Sequence, residues 1–231
     1  MTSAVIASPI LIASGAKQSS GIPGIGLLRR FTPRNNAGVK TLLGLLLLCA
    51  LPASAAPPAL VRVRIETSIG PILVDLEAKR APITTANFLA YVDEKRFDGM
   101  IFYRAARNRT NPKIGLVQGG INALARRGRF PIAHEPTSQT GLRHVDGTIS
   151  MARNAPGTAR GDFFFTVGTA AYLDARPGSP GFAAFGHVVS GMPLIRRMLA
   201  QPTYPGGRSK DTVGQSIIDP VTILTVRRVG K

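Results

Sequence analysis

The chain has 231 residues and a net charge of +17, with 29 Lys and Arg against 12 Asp and Glu, and only one cysteine. One cysteine excludes a disulfide framework. The basic residues are scattered, with no long run and no interleaved aromatics, which excludes the patterning of a nucleic-acid-binding chain.

Residues 1–55 contain Lys17, Arg29, Arg30, Arg34 and Lys40 and no acid. An apolar run follows from Thr41, and then the small residues Ala53, Ser54 and Ala55. Basic region, short apolar core and small residues in that order read as a secretory signal cleaved near Ala55. The run is too short for a comfortable membrane span. Arg29-Arg30 hints at twin-arginine export but is poorly continued by Phe31-Thr32-Pro33, and Cys49, preceded by Leu48, is read as part of the cleaved segment. The expected mature domain is 56–231, with 176 residues, +12 of the charge and no cysteine. That length buries a core without staples. The expected location is a bacterial periplasm, with no membrane span after processing.

Residues 60–67 alternate apolar and charged, a half-buried strand, and 72–76 return as its hairpin partner. Thr84 reads as the N-cap of a helix that buries Phe88, Leu89 and Val92 and ends near Arg96. Residues 99–104 form a strand ending at Arg104. Residues 115–120 hold another, in which glycine marks close backbone approach or a bulge. Residues 121–142 are irregular. His134, Glu135 and His144 match no metal-ligand spacing and are read as structural or surface residues.

Residues 148–153 and 162–167 read as two strands joined by a loop of turn residues, 154–161. In the first, Ile149 and Met151 oppose Ser150 and Ala152. In the second, Phe163, Phe165 and Val167 share one face and Phe164 takes the other. A strand covering a core with one face rarely needs an aromatic on its second, so Phe164 points to an apolar pocket wall beside Ala152; a strand buried on both faces is the alternative. Residues 182–189 are a further strand. Pro193 opens a second helix that buries Leu194, Ile195, Met198 and Leu199. After a loop, 201–219, residues 220–227 form a last strand able to pair with the first. Many short strands and two helices give an antiparallel sheet or barrel with two covering helices.

Five motifs stand in order: Phe102-Tyr103-Arg104, Leu116-Val117-Gln118-Gly119-Gly120, Gly147-Thr148-Ile149-Ser150-Met151-Ala152, Asp162-Phe163-Phe164 and Phe185-Gly186-His187-Val188. Together, over roughly residues 60–229, they resemble the cyclophilin family of peptidyl-prolyl cis/trans isomerases, of the bacterial exported type. The resemblance implies a mainly β fold, a closed eight-stranded antiparallel β-barrel capped by two α-helices, one at each end. It implies rotation about Xaa-Pro bonds in proline-containing polypeptides, with no metal and no cofactor. Arg104 corresponds to the family's catalytic guanidinium and Gln118 to the glutamine that orients it. Leu116 and Phe164 correspond to the proline pocket, Leu173 and Phe182 to its far wall, and Tyr172 to an edge aromatic. Ala152, Arg153 and Asn154 correspond to the strand edge that holds the substrate backbone. Cyclosporin-like ligands are expected to bind weakly, because Tyr172 stands where relatives often have Trp.

Three residues depart from the pattern. Gly115 stands where relatives have a pocket Phe, Asp162 replaces Gln and Tyr103 replaces His. The loop ending at Ile114 is longer than the family's usual one and is expected to offer a substitute side chain. Gly115 and Asp162 favour a second reading, a cyclophilin-shaped binding module or chaperone with little isomerase activity. Arg104, Gln118 and Phe164 together argue for the enzyme. A small-ligand barrel is the third reading, and the bulky inward residues at 149, 151, 163 and 165 speak for a filled interior instead.

Overall fold

Period-two alternation sets the strands. In β1 (Val61–Thr67), Val63 and Ile65 are fully buried while Arg62 and Arg64 face outward. It turns into β2 (Gly70–Leu76), and α1 (Pro82–Asp93) follows. Next come β3 (Ile101–Arg107), β4 (Gly115–Gly120), a single turn of helix α2 (Thr137–Thr140), β5 (Thr148–Met151) and β6 (Asp162–Val167). The chain ends with β7 (Ala183–Ser190), α3 (Met192–Leu199), the two-residue β8 (Thr203–Tyr204) and β9 (Ser216–Arg228). This computed structural model describes residues 59–122, 125–207 and 210–230. The expected export segment, 1–55, lies outside the described residues, none of whose helices is long and apolar enough to cross a membrane.

Eight strands close into an antiparallel barrel in the order β1-β2-β7-β5-β6-β4-β3-β9, with β9 pairing back onto β1; β8 adds two residues to β9. The helices sit at opposite ends of β6. Phe163, at its start, meets the Phe88 ring of α1 edge-on at 5.3 Å. Near its end, the carbonyl of Thr166 accepts the N–H of Gly147, which lies against Met192 of α3. Phe88, Phe97, Phe102, Phe163, Phe165 and Phe185 fill the interior with centroid spacings from 4.9 Å, so the barrel is a packed core and the small-ligand reading falls.

Two local readings change. The helix starts earlier than Thr84: Pro82 supplies the fixed φ of a first turn, and the cap is Ala81, which has no side-chain acceptor. Glu135 takes that role from 51 residues downstream. Its carboxylate accepts the N–H of Ile83 at 3.1 Å and of Thr84 at 2.7 Å. Glu135 is thus a buried structural cap that also complements the helix dipole. The last strand, in turn, begins at Ser216 and runs through Pro220. Between the pairs Phe102↔Val221 and Arg104↔Ser216 the register shifts, so residues 217–220 stand opposite Tyr103 alone and Pro220 has no ladder bond to donate.

Candidate functional site

The outer face of β3, β4, β6 and β5 carries one row of side chains, because directly paired residues point the same way. Arg104 pairs with Gln118, Gln118 with Phe164, and Phe164 with Ser150. Leu116, two residues before Gln118, shares its face. The register shift at Tyr103 lets this residue and Arg104 both turn toward the groove, which is about 840 Å³ and lined by the two of them among others. All ten residues expected from the sequence reach it: Arg104, Leu116, Gln118, Ala152, Arg153, Asn154, Phe164, Tyr172, Leu173 and Phe182.

At one end the wall is apolar. Leu116, Phe164, Ala170 and Leu173 are buried together, with Ala106, Ala152 and Phe182 packed against them. Phe182 meets Phe164 edge-on at 5.5 Å, and the Arg153 guanidinium lies 4.8 Å from the Phe182 ring centroid. Tyr172, 58% exposed, is at the rim. Gly115 plays no part in this wall. Its φ is +153°, and a Cβ there would stand 2.1 Å from the Ala106 carbonyl oxygen. Ile114 rests on Gly168 and does not line the groove; from the stretch 105–114 it is Ala106, Arg107 and Asn108 that reach it, and Ala106 and Leu116 form the apolar part of that wall.

At the other end the arginine is held from two sides. Arg104 Nη1 donates to Gln118 Oε1 at 2.8 Å and Nε donates to Gln215 Oε1 at 2.8 Å. Gln118 Nε2 donates to the Tyr103 hydroxyl at 2.6 Å, which donates to Asp162 Oδ1 at 3.1 Å. Asp162 Oδ1 also accepts the N–H of Asn122 at 2.7 Å. The two departures at Tyr103 and Asp162 are therefore partners of one another. Burial pushes the Tyr103 hydroxyl well above its ordinary range, with Asp162 adding to the effect, so it stays a neutral donor. Burial lowers the Arg104 pKa from its very high ordinary value. Arginine remains charged in such a place and presents a rigid donor fork.

Behind Phe164 lies a second set of bonds. His144 Nδ1 donates to Asp174 Oδ1 at 2.6 Å, and Nε2 accepts from Ser150 Oγ at 2.9 Å. The imidazole stacks beside the Phe164 ring, 6.0 Å between centroids and 14° between planes. Burial holds the His144 pKa below its ordinary value against the opposing pull of Asp174. Ser150 is fully buried, so this Ser–His–Asp set has no access to a substrate and supports the pocket wall.

Sequence reasoning missed Gln215, Arg107 and the pairing of Tyr103 with Asp162. Gln215 is 111 residues from Arg104 and lies in a loop with no periodic signal. Arg107 Nε donates to the carbonyl of Leu199 at 2.7 Å, capping the C-terminus of α3 from the groove's edge.

A closed antiparallel barrel whose outer face presents a cationic fork beside an apolar pocket defines the class of protein. Its site is a groove with a charged donor held from two sides next to an apolar recess. Residues 62–227 match the family described as cyclophilin type peptidyl-prolyl cis-trans isomerase/CLD, and the chain belongs to that family. It is 31% identical over 169 residues to a peptidyl-prolyl cis-trans isomerase of Acinetobacter baylyi, covering 71% of this chain and 84% of that one. A Streptomyces antibioticus peptidyl-prolyl cis-trans isomerase, cyp18, is 31% identical over 175 residues, 73% of this chain and 98% of its own. In fold it is similar to a crystal structure of a Cryptosporidium parvum cyclophilin type peptidyl-prolyl cis-trans isomerase in the presence of the dipeptide Ala-Pro, with TM-score 0.58, 21% identity and coverage of 74% and 99%.

Proposed function

We propose that this chain accelerates cis/trans rotation about Xaa-Pro bonds through Arg104. The observation that carries the reading is the placement of Arg104, opposite Gln118 and two strands from Phe164, in a groove with an apolar end. The barrier of about 18–20 kcal/mol comes from amide resonance. Twisting the bond turns the proline nitrogen pyramidal and gives it a lone pair. A fixed guanidinium near that nitrogen stabilises the twisted state more than either planar one, which is what lowers a barrier. Leu116, Phe164, Leu173 and Phe182 hold the proline ring while the acyl side turns. The backbone of Ala152, Arg153 and Asn154 holds the chain around it, so sequence selectivity at these contacts is low. The chemistry asks for no nucleophile. A protease-coupled assay with a proline tetrapeptide tests the reading; a rate no faster than the spontaneous one contradicts it and favours a peptide-binding module.

Two finer points belong to this reading. Residues 1–55 are an export signal and the mature domain works on exported proteins in a periplasm, supported by the order of basic, apolar and small residues ending at Ala55. Intact mass of protein recovered from the exporting host is expected to start near Ala56; soluble cytosolic protein retaining Met1 contradicts it. Cyclosporin-like ligands bind weakly, supported by Tyr172 at the rim in place of the larger indole.

A further inference from the structure

The groove does not end at Arg160. Gly128, Pro131 and Arg160 form its far rim and at the same time one wall of a second hollow of about 710 Å³. This hollow lies between α1 and the segment 128–132. Ala86 and Ala90 line it on the helix side, and Ile83, Phe130 and Ile132 are its large apolar side chains, of which Ile83 and Phe130 are exposed. Phe130 is 92% exposed and Ile83 44%, an unusual outlay of apolar surface on one small patch. The segment is tied in place: Ile132 donates its N–H to the Ala159 carbonyl at 3.1 Å, and Arg129 donates its N–H to the Tyr91 hydroxyl at 2.7 Å.

Charge adds a direction. Arg96, Arg129 and Arg160 line the hollow and no carboxylate does. Arg96 and Arg129 share one acid, Glu94, and Arg126 and Arg127 precede Arg129 on its own segment. The adjoining groove has four arginines, at 104, 107, 153 and 160, against Asp162, whose oxygen is engaged by Tyr103 and Asn122. An exposed aromatic in a hollow lined by three arginines and continuous with the groove is complementary to an extended chain bearing an apolar side chain near carboxylates.

We propose that the hollow is a second recognition site for the same polypeptide whose proline occupies the first. The chain crosses Pro131 and Arg160, seats an apolar side chain between Ile83 and Phe130, and sets acidic neighbours against the arginines. Clients with acidic and apolar residues flanking the proline are then preferred. This rests on the isomerase reading above.

The test compares a proline tetrapeptide with a peptide of roughly twelve residues, long enough at about 3.3 Å per residue to cross both hollows, with Leu and Glu on each side of the proline. NMR exchange measures isomerisation for the parent and for the double variant Phe130→Ser/Ile83→Ser, two exposed positions outside the catalytic groove. The expected result is a KM for the long peptide raised about tenfold, the effect of losing one apolar anchor, with the tetrapeptide unchanged. A matched peptide with Lys in place of Glu is expected to bind more weakly than the Glu peptide, by a margin that shrinks with salt. A double variant that alters both substrates equally, or neither, overturns the proposal. So do self-association of the parent that the variant abolishes, and displacement of the long peptide by a single-stranded oligonucleotide through Phe130. If the parent isomerises nothing, the isomerase reading fails by itself. Anisotropy of the labelled long peptide still decides the hollow: a Kd weakened about tenfold in the variant supports it and an unchanged Kd overturns it.

Discussion

Tyr103 and Asp162 show how a site keeps its geometry while changing its parts. The Tyr103 hydroxyl accepts from Gln118 and donates to Asp162, so it decides which way the Gln118 amide faces and leaves the amide oxygen for Arg104. Tyr103→Phe removes both bonds without changing the ring. The expected outcome is a kcat about fivefold lower with KM nearly constant, the scale of one net hydrogen bond of about 1 kcal/mol. Steady-state kinetics on the folded variant checks it; an unchanged kcat shows that Gln118 is held by other means. Read in the sequence, Tyr103 and Asp162 are two separate departures, since nothing local links residues 59 positions apart. Gly115 is the opposite case. Its place in the motif order suggested an emptied pocket wall, whereas a Cβ there collides with backbone, so any side chain at 115 disrupts the β3–β4 pair and rebuilds no pocket.

Among the elements, α1 depends on a residue far from it. Ala81 offers its first N–H groups no side chain, and Glu135 supplies both acceptors. Glu135→Ala leaves two N–H groups of Ile83 and Thr84 without the carboxylate, and is expected to cost about 1–3 kcal/mol of stability. Chemical denaturation measures this as a lower midpoint with an unchanged slope. Activity per folded molecule on a tetrapeptide is expected to stay near the parent value, since Glu135 does not line the groove. A midpoint equal to the parent's contradicts the capping role. Strands whose residues alternate were legible from that alternation: Phe163 and Phe165 join the interior, and Phe164 turns to the groove. Glu135 was not legible as a cap, because a carboxylate 51 residues from Thr84 leaves no mark on the helix's own sequence. Nor was the start of β9, since Pro220 reads as loop until the bulge beside Tyr103 frees it from the ladder.

For the molecule as a whole, closure joins the first strand to the last, and the motif order was the strongest sign of it. The residues of each motif fall on strands that are neighbours around the ring, β3, β4, β6, β5 and β7. A pH effect on global stability follows from His144. In the unfolded chain a histidine takes up a proton through about pH 6.5, but buried His144 stays neutral to lower pH. Below about pH 6.5 the unfolded state therefore binds more protons, and stability falls as pH drops through that value. Denaturation midpoints measured from about pH 7.5 to 5.5 are expected to decline, and His144→Asn, less stable throughout, to flatten the slope; equal slopes contradict it. The central claim concerns Arg104, and one comparison tests it most directly: kcat/KM for a proline tetrapeptide with the parent and with Arg104→Ala, both shown to be folded. Loss of one preorganised charged donor predicts a fall of roughly 10²–10³. A folded Arg104→Ala that keeps nearly full activity contradicts the account and leaves Arg104 a structural residue of the groove.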